Sequence, residues 1–153
     1  MANMSDQVNV VNKLLQAYFT SSTTFTITPG TSGGSAFTIT PPFKLRLMTA
    51  GGSNTSNGTE ATAGNCPGYT AGGSSLGSSA FGTPSGGQSS NNNAVSWSAT
   101  GSWSTITTIE IWDSAATPLR YLQGALTSSI TGVANGDTVQ FAVGSVTINS
   151  SAW

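Results

Sequence analysis

The chain contains no histidine. That absence removes the usual general base, every Ser-His triad and the commonest metal ligand. There is a single cysteine, Cys66, so no intrachain disulfide can form. Charge is scarce: four Lys plus Arg and five Asp plus Glu among 153 residues, for a net charge of −1. No basic patch exists to meet a phosphate backbone, so no nucleic-acid partner is expected. No apolar run reaches about 18 residues, so no membrane-spanning helix and no membrane partner are expected. The N-terminus lacks a basic start followed by an apolar stretch, so it does not read as a secretory signal. No cofactor or metal site is expected either. The Gly-rich runs GTPSGGQ and TAGGSS lack Walker or dinucleotide spacing, and no helical pattern follows them.

What remains is mostly Gly, Ser, Thr and Asn, with 37% apolar residues. A low apolar fraction without high net charge argues against charge-driven disorder. It suggests short strands joined by long neutral loops. A charge so near zero gives little colloidal repulsion, which suits a subunit held inside an assembly.

One domain is expected over residues 1–153. Residues 5–19 read as an amphipathic helix, capped by Ser5 or Asp6. Val8, Val11, Leu15, Tyr18 and Phe19 form its apolar stripe. Such a stripe docks either on its own domain or on a neighbouring subunit. Residues 24–41 hold a small repeat, TFTITP and AFTITP around GTSGGS. Phe25 and Ile27 alternate with Thr, as do Phe37 and Ile39, so the segment reads as a β-hairpin. A lone hairpin is barely stable and needs something to lean on. FKLRLM at 43–48 is a third strand, with Phe43, Leu45 and Leu47 on one face and Lys44 and Arg46 on the other. Residues 49–93 form a long Gly/Ser/Asn loop, pinned at Tyr69, Leu76 and Phe81. Strands return over 94–149. There Val95, Trp97 and Ala99 share one phase, as do Val139, Phe141 and Val143, and Gly144 marks a bulge or bend. The fold class is mainly β: an antiparallel β-sandwich or small jelly-roll-like barrel with one N-terminal amphipathic helix.

The densest chemistry lies in TITTIEIWDSAATPLRYLQGAL, residues 105–126. Glu110 and Asp113 could be a pair of catalytic carboxylates. Strand geometry argues otherwise, because residues three apart lie about 10 Å apart on opposite faces. A hairpin accounts for the stretch better. Asp113 would sit opposite Leu119 at the turn. Glu110, Trp112, Arg120 and Leu122 would share the outer face, and Ile109, Ile111, Leu119 and Tyr121 the core face. Glu110 and Arg120 would form an exposed ion pair, with Trp112 beneath the Arg120 guanidinium. No catalytic residue is assigned, and the chain is not expected to be an enzyme. Trp153, at the C-terminus, is expected to bury against a sheet or a neighbour.

Several of these segments occur together in a known group. An IWD-SA-x5-Y-x2-GALT core (Ile111–Asp113, Ser114, Ala115, Tyr121, Gly124–Thr127) is followed by NGDTVQFAVGSVTI. With KLRLMT, VSWSA and the N-terminal helix, this resembles the small virion structural proteins of tailed bacteriophages, often described as phage tail fibre proteins. The hairpin at 24–41 and the length of the 49–93 loop depart from the shorter relatives. The resemblance implies a virion location and two roles. The leading one is a capsid decoration (cement) protein, a homotrimer bound to the major capsid protein on the head exterior. The alternative is a tail-fibre or tail-tip component that contacts the host. In either role Val8, Val11, Leu15, Tyr18, Phe19, Phe25, Ile27, Phe37, Ile39 and Trp153 are the expected interface residues.

Overall fold

The computed structural model describes residues 37–149 except Asn54 and Ser78, with backbone alone for Phe37 and for the strand Phe25–Ile27. The expected helix at 5–19, with Val8, Val11, Leu15, Tyr18 and Phe19, lies outside the described residues, as does Trp153.

The described chain is mainly β, and every strand pairing is antiparallel. Its strands are β1 (Phe25–Ile27), β2 (Phe37–Ile39), β3 (Lys44–Ala50), β4 (Thr59–Glu60), β5 (Ser74–Ser75), β6 (Gln88–Ser90), β7 (Val95–Ser98), β8 (Ile106–Trp112), β9 (Arg120–Ile130), β10 (Thr138–Phe141) and β11 (Thr147–Asn149). A five-stranded sheet runs in the order β4-β3-β8-β9, with β5 also paired to β3. Three two-stranded pairs complete the body: β1 with β2, β7 with β10, and β6 with β11.

Period-two alternation decides which side chains enter the core. Leu45 and Leu47 are buried along β3, with Phe43 just before it, and Val95 and Trp97 along β7, with Ala99 just beyond. Ile111 joins them from β8, Val139 from β10 and Ile148 from β11 in one apolar cluster. Fully burying each large aliphatic side chain contributes about 1.5–3 kcal/mol. Tyr69, Leu76 and Phe81 drop into the same cluster from residues 49–93, and Cys66 lies there as a buried free thiol. Val143 departs from its expected phase. β10 ends at Phe141, and Val143 lies on the following turn, 63% exposed. Gly144 takes φ +79° on that turn, a backbone conformation that favours glycine.

Side-chain amides also hold the polar loops, alongside these apolar anchors. Asn91 is buried; its Oδ1 accepts from Val146 N at 2.8 Å, and its Nδ2 donates to Asn93 O and Ala142 O. Asn92 donates to Ser79 O at 2.8 Å, and Asn93 to Leu76 O at 2.9 Å. An amide has two donors and an acceptor, so consecutive asparagines can bind several backbone segments at once.

Candidate functional site

The scarce charges converge. Glu60 comes from β4, Arg46 from β3, Glu110 and Trp112 from β8, and Arg120 from β9, so four of the five strands of the main sheet supply at least one member. Arg46 lies directly across from Glu110 in the β3–β8 ladder. Arg46 pairs with Glu60 at 3.0 Å, and its guanidinium lies over Trp112, 4.1 Å from the ring centroid. The Trp112 Nε1 donates to Glu110 Oε2 at 2.9 Å, and Arg120 pairs with Glu110 Oε1 at 2.9 Å. The result is a crossbar, Glu60–Arg46–Trp112–Glu110–Arg120, that follows the strand order.

Loop segments seal it. Gly58 N donates to Glu110 Oε1 at 3.1 Å, and Arg120 donates to Ser56 O, Gln123 Oε1 and Ser53 O. Gly58 is required by space. A Cβ there would lie 2.6 Å from Ala50 O and 3.0 Å from Glu110 Oε1. On the other flank, Glu60 Oε1 accepts from Tyr69 Oη at 2.8 Å and Gly72 N at 2.6 Å, and Tyr69 Oη accepts from Leu47 N. Burial is the main reason that the Tyr69 hydroxyl titrates well above the ordinary tyrosine range. Burial likewise pushes the Cys66 thiol up, which suits a packing thiol better than a reactive one.

Three sequence expectations for this stretch change. The Glu110–Arg120 pair exists, but it is not exposed: the Glu110 side chain is 0% accessible and that of Arg120 12%. The cation on Trp112 is Arg46, not Arg120, because β3 places Arg46 next to the ring. The register also slips. Asp113 N bonds Leu119 O and Trp112 lies opposite Arg120, as expected. An irregularity follows, however, and Ile111 then faces Leu122 while Glu110 faces Gln123. Leu122 thus leaves the outer face, and Leu119 is 44% exposed rather than in the core. Tyr121 still packs edge-on against Phe43, with ring centroids 5.4 Å apart.

Chemically, this arrangement holds rather than reacts. Glu110 accepts from Gly58 N, Trp112 Nε1 and Arg120 with no solvent access. Asp113 is equally buried, and its Oδ1 accepts from Leu119 N at 2.8 Å. A glycosidase pair must face a sugar and a water, and these two carboxylates face protein donors. Among the described residues no group of three or more His, Cys, Asp or Glu side chains could hold a metal ion. Among the described residues no helix is long and apolar enough to cross a membrane.

The open features lie elsewhere. A groove of about 770 Å³ runs between β8–β9 and β11, lined by Ile109, Ile111, Leu122, Gly124, Val146 and Ile148 among others. β9 is the edge strand of the main sheet, and Gln123, Gly124 and Ala125 on it are exposed. Of the expected interface residues, Ile39 is fully buried in the core. The backbones of Phe25, Ile27 and Phe37 lie in the β1–β2 pair, with Phe25 opposite Ile39 and Ile27 opposite Phe37.

Among the described residues the charged side chains of Arg46, Glu60, Glu110 and Arg120 are paired within the body, and β9 forms one edge of the main sheet. The family model described as "Podophage GP4 fiber I protein gp80" matches residues 8–149, and the chain belongs to that family. It is therefore a tailed-phage virion structural protein. No curated protein matches the chain.

Proposed function

We propose that this chain is a non-enzymatic fibre component of the phage tail. The observation that carries the reading is the match of residues 8–149 to a fibre protein family. The sequence led with capsid decoration, bound to the major capsid protein. The family supports the tail-fibre alternative better, and the major capsid protein is a partner only on the capsid reading.

The physical reading is mechanical. The crossbar ties four neighbouring strands together through side chains in addition to their backbone ladders. The β6–β11 and β7–β10 pairs share one apolar cluster with the main sheet, which supports a two-layer sandwich as the body. Such modules gain attachment strength by acting as several linked copies, and a homotrimer remains the proposed assembly. Immunogold labelling of intact virions with antibody to the purified chain tests the placement. Gold at the tail supports the fibre reading. Gold spread over the head refutes it and restores capsid decoration.

A further inference from the structure

Asparagine is chemically labile, and most so before glycine, where no side chain hinders attack by the following backbone nitrogen. The sequence contains Asn-Gly twice, at Asn57–Gly58 and Asn135–Gly136. Both asparagines are exposed. The two glycine nitrogens, however, are held by different partners. Gly136 N donates to the backbone, to Ala99 O at 2.9 Å, within a turn closed by Asp137 N and Ala134 O. Gly58 N donates to a side chain of the crossbar, Glu110 Oε1, at 3.1 Å.

That bond is part of a clasp. Arg120 Nη1 holds Glu110 Oε1 at 2.9 Å and also donates to Ser56 O at 2.9 Å, one residue before Asn57. Its other nitrogen reaches Ser53 O. Gly58 also lies so close to Ala50 O that a Cβ would come within 2.6 Å of it. The backbone nitrogen that would attack Asn57 is therefore pinned, and the pin is the buried Glu110–Arg120 pair.

We propose that Asn57–Gly58 is a deamidation site gated by the crossbar, and that its reaction breaks the seal over Glu110 irreversibly. Local opening frees Gly58 N. The nitrogen gives its proton to solvent base and bonds to the Asn57 Cγ. The bond from Cγ to the side-chain nitrogen breaks, and ammonia leaves. The resulting succinimide takes up one water and opens at either carbonyl, to aspartate or isoaspartate, with no change of oxidation state. Isoaspartate adds a methylene to the main chain before Gly58, which carries its N–H away from Glu110. Either product sets a new carboxylate one residue from the nitrogen that meets a buried negative charge. The clasp cannot then close as before. Asn135 gives the same chemistry without this gate, so it serves as a control inside the same chain.

Peptide mass mapping of the full chain, aged in mildly alkaline buffer, tests the gate. A bond to a charged acceptor slows opening roughly ten- to hundredfold, so native Asn57 should deamidate slower by about that factor than in the urea-unfolded chain. Arg120→Ala should raise the rate at Asn57 by about tenfold or more and leave Asn135 unchanged. Arg120→Lys keeps a cation for Glu110 but loses the fork to Ser53 O and Ser56 O, and should do the same if Arg120→Ala fails to fold. Native Asn57 reacting as fast as in the unfolded chain overturns the proposal. So does acceleration of both asparagines alike, or of neither, in both variants. Aged wild-type protein carrying isoaspartate at position 57 should melt lower than fresh protein, and aged Asn57→Gln should not. An unchanged Tm in the aged wild type overturns the claim that the seal is broken.

Discussion

Replacing Arg120 by alanine separates a buried ion pair from a surface one. Exposed pairs contribute about 0–1 kcal/mol, whereas stripping one partner from a buried pair costs about 3–5 kcal/mol. The geometry decides between them. Glu110 is fully inaccessible, Arg120 nearly so, and the two meet at 2.9 Å. After Arg120→Ala, Glu110 retains only the Gly58 N–H and the Trp112 Nε1 as donors. Two neutral donors do not compensate a buried negative charge. Ser53 O and Ser56 O also lose their shared donor. The expected loss is about 3–5 kcal/mol, a fall in Tm of roughly 6–20 °C for a domain of this size. Urea and thermal unfolding measure it. Adding Glu110→Gln to Arg120→Ala should recover about 1–3 kcal/mol, because the unpaired charge is gone. A single-variant loss below about 1 kcal/mol, with no recovery in the double variant, would refute the claim that the crossbar is buried.

Three further outcomes follow from the same geometry. Tyr69 titrates higher in the folded protein than in the unfolded chain, so its contribution is full below about pH 10 and is lost as pH rises through the folded value. Stability should therefore fall in alkali, and Tyr69→Phe should flatten that fall in a denaturation series across pH. Gly58→Ala forces a Cβ against Ala50 O and Glu110, and should lower stability by about 1–3 kcal/mol in urea titration. Asn91→Ala leaves the buried Val146 N–H without its acceptor, so that amide should exchange hydrogen much faster than the β3–β8 ladder, as read by NMR.

The strand phases were legible because alternation is local. Leu45 and Leu47, and Val95 and Trp97, lie inward as their spacing requires. The turn register at Asp113 and Leu119 was also readable, since an aspartate at a strand end bonds nearby N–H groups. The slip beyond Arg120 was not, because packing of Tyr121 on Phe43 has no sequence signature. Nor was the burial of Glu110. The segment that seals it, Ser53–Gly58, lies more than fifty residues earlier in the chain and reads as a solvent-facing loop. Its glycine is there for close backbone approach, which only the folded neighbours reveal. Sequence proximity suggested Arg120 as the cation over Trp112, whereas cross-strand adjacency selected Arg46. The Asn91–Asn93 run offered a signal that passed as loop composition. Three consecutive amides are unusual enough to suggest tethers to backbone.

Copy number decides the central claim, that this virion protein is a tail-fibre component. Purified virions are digested and quantified by mass spectrometry, with labelled peptides of this chain and of the major capsid protein as standards. A tail-fibre component gives a small ratio, far below one copy per capsid subunit. A ratio that matches the head lattice would contradict it.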